Sequence, residues 1–92
     1  MVRAVVLYDG VPDPERYEQH VALCERVPGA TFRHGPVFGA PIGAPAHGYY
    51  AEFEWPDKAA FKEAAGSKEF GLTGKDGLEL GVPFSVEFVE LG

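Results

Sequence analysis

The stretch YYAEFEWPDKAAF, residues 49–61, decides the fold of this 92-residue chain. Its first half alternates. Tyr49, Ala51, Phe53 and Trp55 fall on one side of an extended backbone, and Tyr50, Glu52 and Glu54 fall on the other, which is the period of a half-buried strand. Pro56-Asp57 then opens a helix whose apolar positions are Ala60, Phe61 and Ala64, with Gly66 marking its end.

Working outward, Val2–Tyr8 is apolar and β-branched on both faces, as in a strand inside a sheet covered on both sides. Asp9-Gly10 turns the chain. Asp13-Pro14 reads as an N-cap followed by proline at the first helical position, and Glu15 suits the first turn. Tyr17, His20, Val21, Cys24 and Val27 recur at helical spacing until Pro28-Gly29 stops the helix. Thr31–Phe38 is a second strand that Gly35-Pro36 restricts to an edge or bulge, and Ala40–Gly48 is a loop. Beyond Gly66, Ser67–Leu80 reads as broken helical turns. Phe84–Glu90 closes the chain as a strand, with Phe84, Val86 and Phe88 set against Ser85, Glu87 and Val89.

The order is βαββαβ. It predicts an α+β, ferredoxin-like domain spanning residues 1–92, with a four-stranded antiparallel sheet and two helices on one face. Phe53, Trp55, Val86 and Phe88 suit the covered face, and the six large aromatics Phe53, Trp55, Phe61, Phe70, Phe84 and Phe88 read as core. The other face carries Val5, Leu7, Tyr50 and Val89 beside Arg3, Glu52, Glu54 and Glu87. An apolar and ionisable surface of that size predicts a homodimer through it.

Composition excludes several function classes. Eight Lys+Arg against 14 Asp+Glu leave a net charge of −6, which argues against nucleic acid and anionic membranes as partners. A single cysteine forms no internal disulfide and is far short of a zinc site. The longest apolar run, Ala4–Tyr8, is too short to span a membrane. Met1–Val6 enters strand-like sequence without a signal-peptide layout, so a cytoplasmic protein is expected. The histidines at 20, 34 and 47 match no local metal signature. Gly39-x3-Gly43 and Gly74-Lys75-Asp76 match neither dinucleotide nor phosphate loops, so no cofactor is expected.

The segments VRAVVLYDG, PDPERYEQH, VPG and YYAEFEWPDKAAFKEA, with the glycine-rich turn before PFSVEFVEL, resemble the EthD-like family over nearly the whole chain. The resemblance implies a dimeric α+β barrel, in which two subunits pack sheet against sheet around a cavity. It also implies a setting in oxidative catabolism. Family members commonly carry His-x-Pro-Leu shortly before the Pro-Gly stop. Here that stretch is His20-Val21-Ala22-Leu23, with alanine in place of proline.

On this basis His20 and Glu52 are the candidate catalytic residues, and Tyr50, His47 and Arg33 the candidate substrate contacts. His20 is either a packed histidine at the helix–sheet seam or, as the resemblance implies, an acid–base group at a cavity mouth. His34, pointing back toward the helix side, reads as a structural or surface histidine. His47 sits in a glycine-rich loop that is either simply solvated or able to close over a cavity. Glu52, Glu54 and Glu87 share a sheet face, where burial would raise their pKa values, or where salt bridges to Arg3 and Arg33 across the dimer would hold them. Cys24 reads as a buried, inert thiol. The function expected is binding of an apolar or aromatic metabolite between the open sheet face and the 40–48 loop. It would serve a cofactor-free isomerase, cyclase or oxygenase-type enzyme, or an accessory to one. The alternative is a non-catalytic dimerisation module. A cavity lined by Tyr50, Glu52 and a histidine favours the first; a face filled by paired charges favours the second.

Overall fold

The computed structural model describes all residues, Met1–Gly92. Strand β1 (Val2–Tyr8) leads to helix α1 (Pro14–Cys24), strands β2 (Thr31–Pro36) and β3 (Tyr49–Trp55), helices α2 (Lys58–Ala65) and α3 (Lys68–Leu78), and strand β4 (Phe84–Glu90). The sheet runs β2-β3-β1-β4 and every pair is antiparallel. Its register fixes the two faces. Val2, Ala4, Val6 and Tyr8 stand opposite Trp55, Phe53, Ala51 and Tyr49, and on the other side opposite Glu90, Phe88, Val86 and Phe84. Arg3, Val5 and Leu7 point the other way with Glu54, Glu52 and Tyr50.

All three helices cover the first face. Trp55, with no exposed surface, stacks on Phe53 and meets Phe61 and Phe70 edge-on, while its indole N–H donates to the Pro28 carbonyl at 3.1 Å. Val2, Ala4, Cys24, Val27 and Ala64 complete that core. A second cluster of Val6, Tyr8, Tyr17 and Ala51 fills the other end. The molecule is one helix layer on one sheet, only 16 Å thick. The opposite sheet face has no cover of its own.

Three expectations are corrected. Ser67–Leu80 is not a set of broken turns: Ser67 accepts the Phe70 amide at 3.1 Å and caps an 11-residue helix. Three glycines weaken its propensity, but the cap and the packing of Phe70 and Thr73 hold it. Helix α1 ends at Cys24 rather than running to Val27. The chain goes on through tight turns to Gly29, whose φ of 68° only glycine adopts without cost. Phe88 is 59% exposed rather than core: it lies on the edge strand β4, where Phe61 and Phe70 meet its ring but the helices cover it only in part.

Candidate functional site

Each of the two sheet faces carries a cluster of polar side chains. On the open face, β2 and β3 place Arg33 opposite Glu52, and β1 and β3 place Arg3 opposite Glu54. Arg33 donates through Nε to Glu52 Oε2 at 2.7 Å and through a terminal nitrogen to Glu54 Oε1 at 2.6 Å. Arg3 donates to Glu54 at 3.1 Å, and the Tyr50 hydroxyl donates to Glu52 Oε1 at 2.8 Å. Glu52 is only 7% exposed. Burial acts to raise its pKa. The bonds from Arg33 and Tyr50 and the charge of Arg3 outweigh that effect and leave the carboxyl below its usual range. The Arg33 and Arg3 guanidiniums likewise lower Glu54. These salt bridges close within one chain; they do not need a partner subunit, as the sequence suggested.

His20 lies on the other side of the sheet. Arg16 and His20, one helical turn apart on α1, both reach Asp76 of α3. The Arg16 guanidinium donates to both carboxylate oxygens, at 2.6 and 3.2 Å, and His20 Nδ1 lies 2.8 Å from Oδ2. Asp76 is lowered first by Arg16 and further by His20, against its partial burial. In the neutral ring, donation from Nδ1–H to the carboxylate leaves the lone pair on Nε2. That atom has no hydrogen-bond partner in the chain and is not sealed from solvent.

Beside it lies a cavity of about 200 Å³ between α3 and strands β1 and β4. Phe53, Phe70, Phe84 and Val86 form apolar walls, and His20, Tyr8 and Thr73 contribute polar atoms. The Thr73 hydroxyl is already donated to the Phe70 carbonyl at 2.7 Å, and the Tyr8 and Tyr17 hydroxyls pair at 3.3 Å. Buried Gly77 leaves the space open: a Cβ there would stand 3.4 Å from Phe84 and 3.7 Å from His20.

The sheet therefore separates His20 from Glu52, Tyr50 and Arg33, which the sequence reading had brought to one ligand. The latter three border a shallow hollow of about 440 Å³ that also touches Phe38 at the root of the loop. His47 is half-buried in that loop. His34 faces the helix side and meets the Tyr49 hydroxyl at 2.6 Å. Burial pushes the Cys24 thiol up to about 12, so it is not a nucleophile at neutral pH. Asp76 and Arg16 were missed by the sequence reading. The i, i+4 spacing of Arg16 and His20 was the available signal, but their partner lay in a segment not read as helix.

An EthD family protein from Bacillus halodurans superimposes with a TM-score of 0.82 at 20% identity, covering 100% of this chain and 99% of that one. This chain has the ferredoxin-like fold of an EthD family protein. A dimeric ferredoxin-like protein of unknown function from Jannaschia superimposes on this chain with a TM-score of 0.73 at 20% identity, over 98% of each chain. SnoaB, a cofactor-independent oxygenase from Streptomyces nogalater, matches with 0.62 at 19% identity, over 98% of this chain and 91% of its own. No protein-family model matches the sequence, and no curated protein sequence matches it. No helix is long and apolar enough to cross a membrane.

The carboxylates set an acid limit. Glu52, Glu54 and Asp76 all have folded-state pKa values below their ordinary ones. Their contribution is fully present above the unfolded-state values near pH 4 and is lost as pH falls through the lower folded-state values. Urea midpoints should hold level from neutrality to about pH 5 and drop steeply below about pH 4. A decline already under way above about pH 5 would contradict this assignment.

Proposed function

We propose that this protein belongs to the EthD-like family and is a cytoplasmic homodimer that binds a small apolar or aromatic metabolite, with His20 as its proton-handling residue. The observation that carries the reading is the His20–Asp76 pair, whose free imidazole nitrogen stands at the wall of an otherwise apolar cavity. Asp76 orients the ring and fixes its tautomer; Arg16 holds Asp76. This is the arrangement a general base needs, and it moves a proton without a cofactor. It suits isomerisation, cyclisation or the deprotonation that opens an oxygenation. SnoaB, described as cofactor-independent on the same fold, supports chemistry carried by the protein's own groups. A cavity of roughly 150 Å³ accommodates benzene, so one of about 200 Å³ points to a single-ring ligand.

A second reading keeps the ligand on the open face, at the hollow bordered by Arg33, Tyr50 and Glu52, with His47 closing from the loop. It rests on the size of that hollow. Against it, both Glu52 oxygens are already engaged, which suits a dimer contact better than a catalytic one. The closed ion cluster also favours a purely structural role for this face.

Titration with substituted phenols and cyclic ketones, followed by NMR, separates the readings. The first expects perturbed His20 imidazole signals, loss of binding in Gly77→Leu, and undiminished binding in Tyr50→Phe. Binding that survives Gly77→Leu but fails in Tyr50→Phe moves the ligand to the open face. If none of these compounds binds wild-type protein, the dimerisation module is the better account.

A further inference from the structure

Residues 34–51 form an 18-residue run without a single Lys, Arg, Asp or Glu, in a chain that is 24% charged. Its middle, residues 38–46, is exposed throughout, with Phe38 fully exposed and Ile42 90% exposed. The root is fixed. Val37 N–H donates to the Gly48 carbonyl at 3.0 Å, and Gly48 N–H to the Tyr8 carbonyl at 2.9 Å. Gly48 packs so tightly that a Cβ would lie 3.0 Å from the Gly10 backbone. A fixed base thus presents two large apolar side chains that are almost wholly exposed.

We infer that this loop is an arm of the dimer interface, and that Phe38 and Ile42 seat on a second copy of the chain. The inference rests on the homodimer reading and adds to it. Four strands about 4.8 Å apart, each about seven residues of 3.4 Å, give the open face a footprint on the order of 450 Å². Even with the added relief of its side chains, two such faces fall near the lower end of the roughly 1,200–2,000 Å² of stable interfaces. The arm is the apolar surface next to that face, since Phe38 shares a hollow with Arg33, Tyr50 and Glu52. Charge points the same way. Two copies at −6 each repel unless they meet through neutral surface. The open-face cluster of two arginines and two glutamates sums to zero, Glu87 is the one further charge on that face, and the arm carries none. A membrane is the poorer occupant, because the run lacks the basic residues that draw a segment to anionic lipid.

The buried Cys24 leaves Ile42→Cys as the accessible thiol for an environment-sensitive maleimide dye. In the full-length dimer the dye emission should shift to the blue, and the shift should vanish on dilution to monomer. The double variant Phe38→Ser/Ile42→Ser should raise the dimer Kd by about tenfold or more with an unchanged far-UV circular dichroism spectrum. A water-like dye in a chain that sediments as a dimer overturns the arm and leaves the dimer standing. A wild-type chain that sediments as a monomer at micromolar concentration overturns both. A blue shift seen only with phosphatidylcholine vesicles assigns the arm to a membrane and overturns it as well.

Discussion

Replacing Trp55 with alanine is expected to cost the fold about 3–5 kcal/mol, the range for emptying a large aromatic from a core. A domain of this size holds on the order of 5–15 kcal/mol in total, so the variant should lie close to unfolding at room temperature. Trp55 joins elements from the whole chain. Its ring stacks on Phe53 of β3, meets Phe61 of α2 and Phe70 of α3 edge-on, and bonds the turn after α1 through its N–H. With only one helix layer over the sheet, no second layer can collapse into the void. Urea unfolding at a fixed protomer concentration measures the loss, because dimer stability depends on concentration. Trp55→Phe, which keeps most of the ring contact and gives up the bond to Pro28, should lose less. An alanine variant within about 1 kcal/mol of wild type would mean that the core does not turn on this residue.

Val5→Asp is expected to abolish the dimer. Val5 sits on the central strand, opposite Glu52 of β3 on one side and Glu87 of β4 on the other. An aspartate there lines up three carboxylates across adjacent strands at the middle of the open face. Like charges directly opposite repel, and burying an uncompensated charge costs several kcal/mol. Two protomers double the penalty, so the dimer Kd should rise by about a thousandfold or more. The helix-covered core lies on the other face and is left intact. Sedimentation should show a folded monomer across the micromolar range. A variant that still dimerises like wild type would place the interface elsewhere.

The alternation of residues 49–55 and of 84–90 made the strands and their faces legible, because a period of two assigns every side chain to one side. The proposed dimer face rests on the same pattern. What remained hidden depended on contacts distant in sequence. Arg16 and His20 share a helix face by spacing alone, but Asp76 lies 56 residues beyond His20. The glycines at 71, 74 and 77 disguised its helix, since local propensity there points away from the structure that capping and packing enforce. The arginine–glutamate cluster was legible as a set of residues but not as a closed one. Strand order, rather than sequence spacing, brings β2 alongside β3.

Strand β1, inside the sheet, is made before both of its neighbours. β1 pairs with β3, and on its other edge with residues 84–90. At roughly 5–20 residues per second, a ribosome releases the last strand several seconds or more after the first has left the tunnel. Until then one whole edge of Val2–Tyr8 is an unpaired apolar ribbon, the kind that joins the wrong neighbour. Such long-range pairing also folds slowly. The early life of this protein is therefore governed by waiting for β4, and loss of residues 84–90 would leave β1 with one edge unpaired.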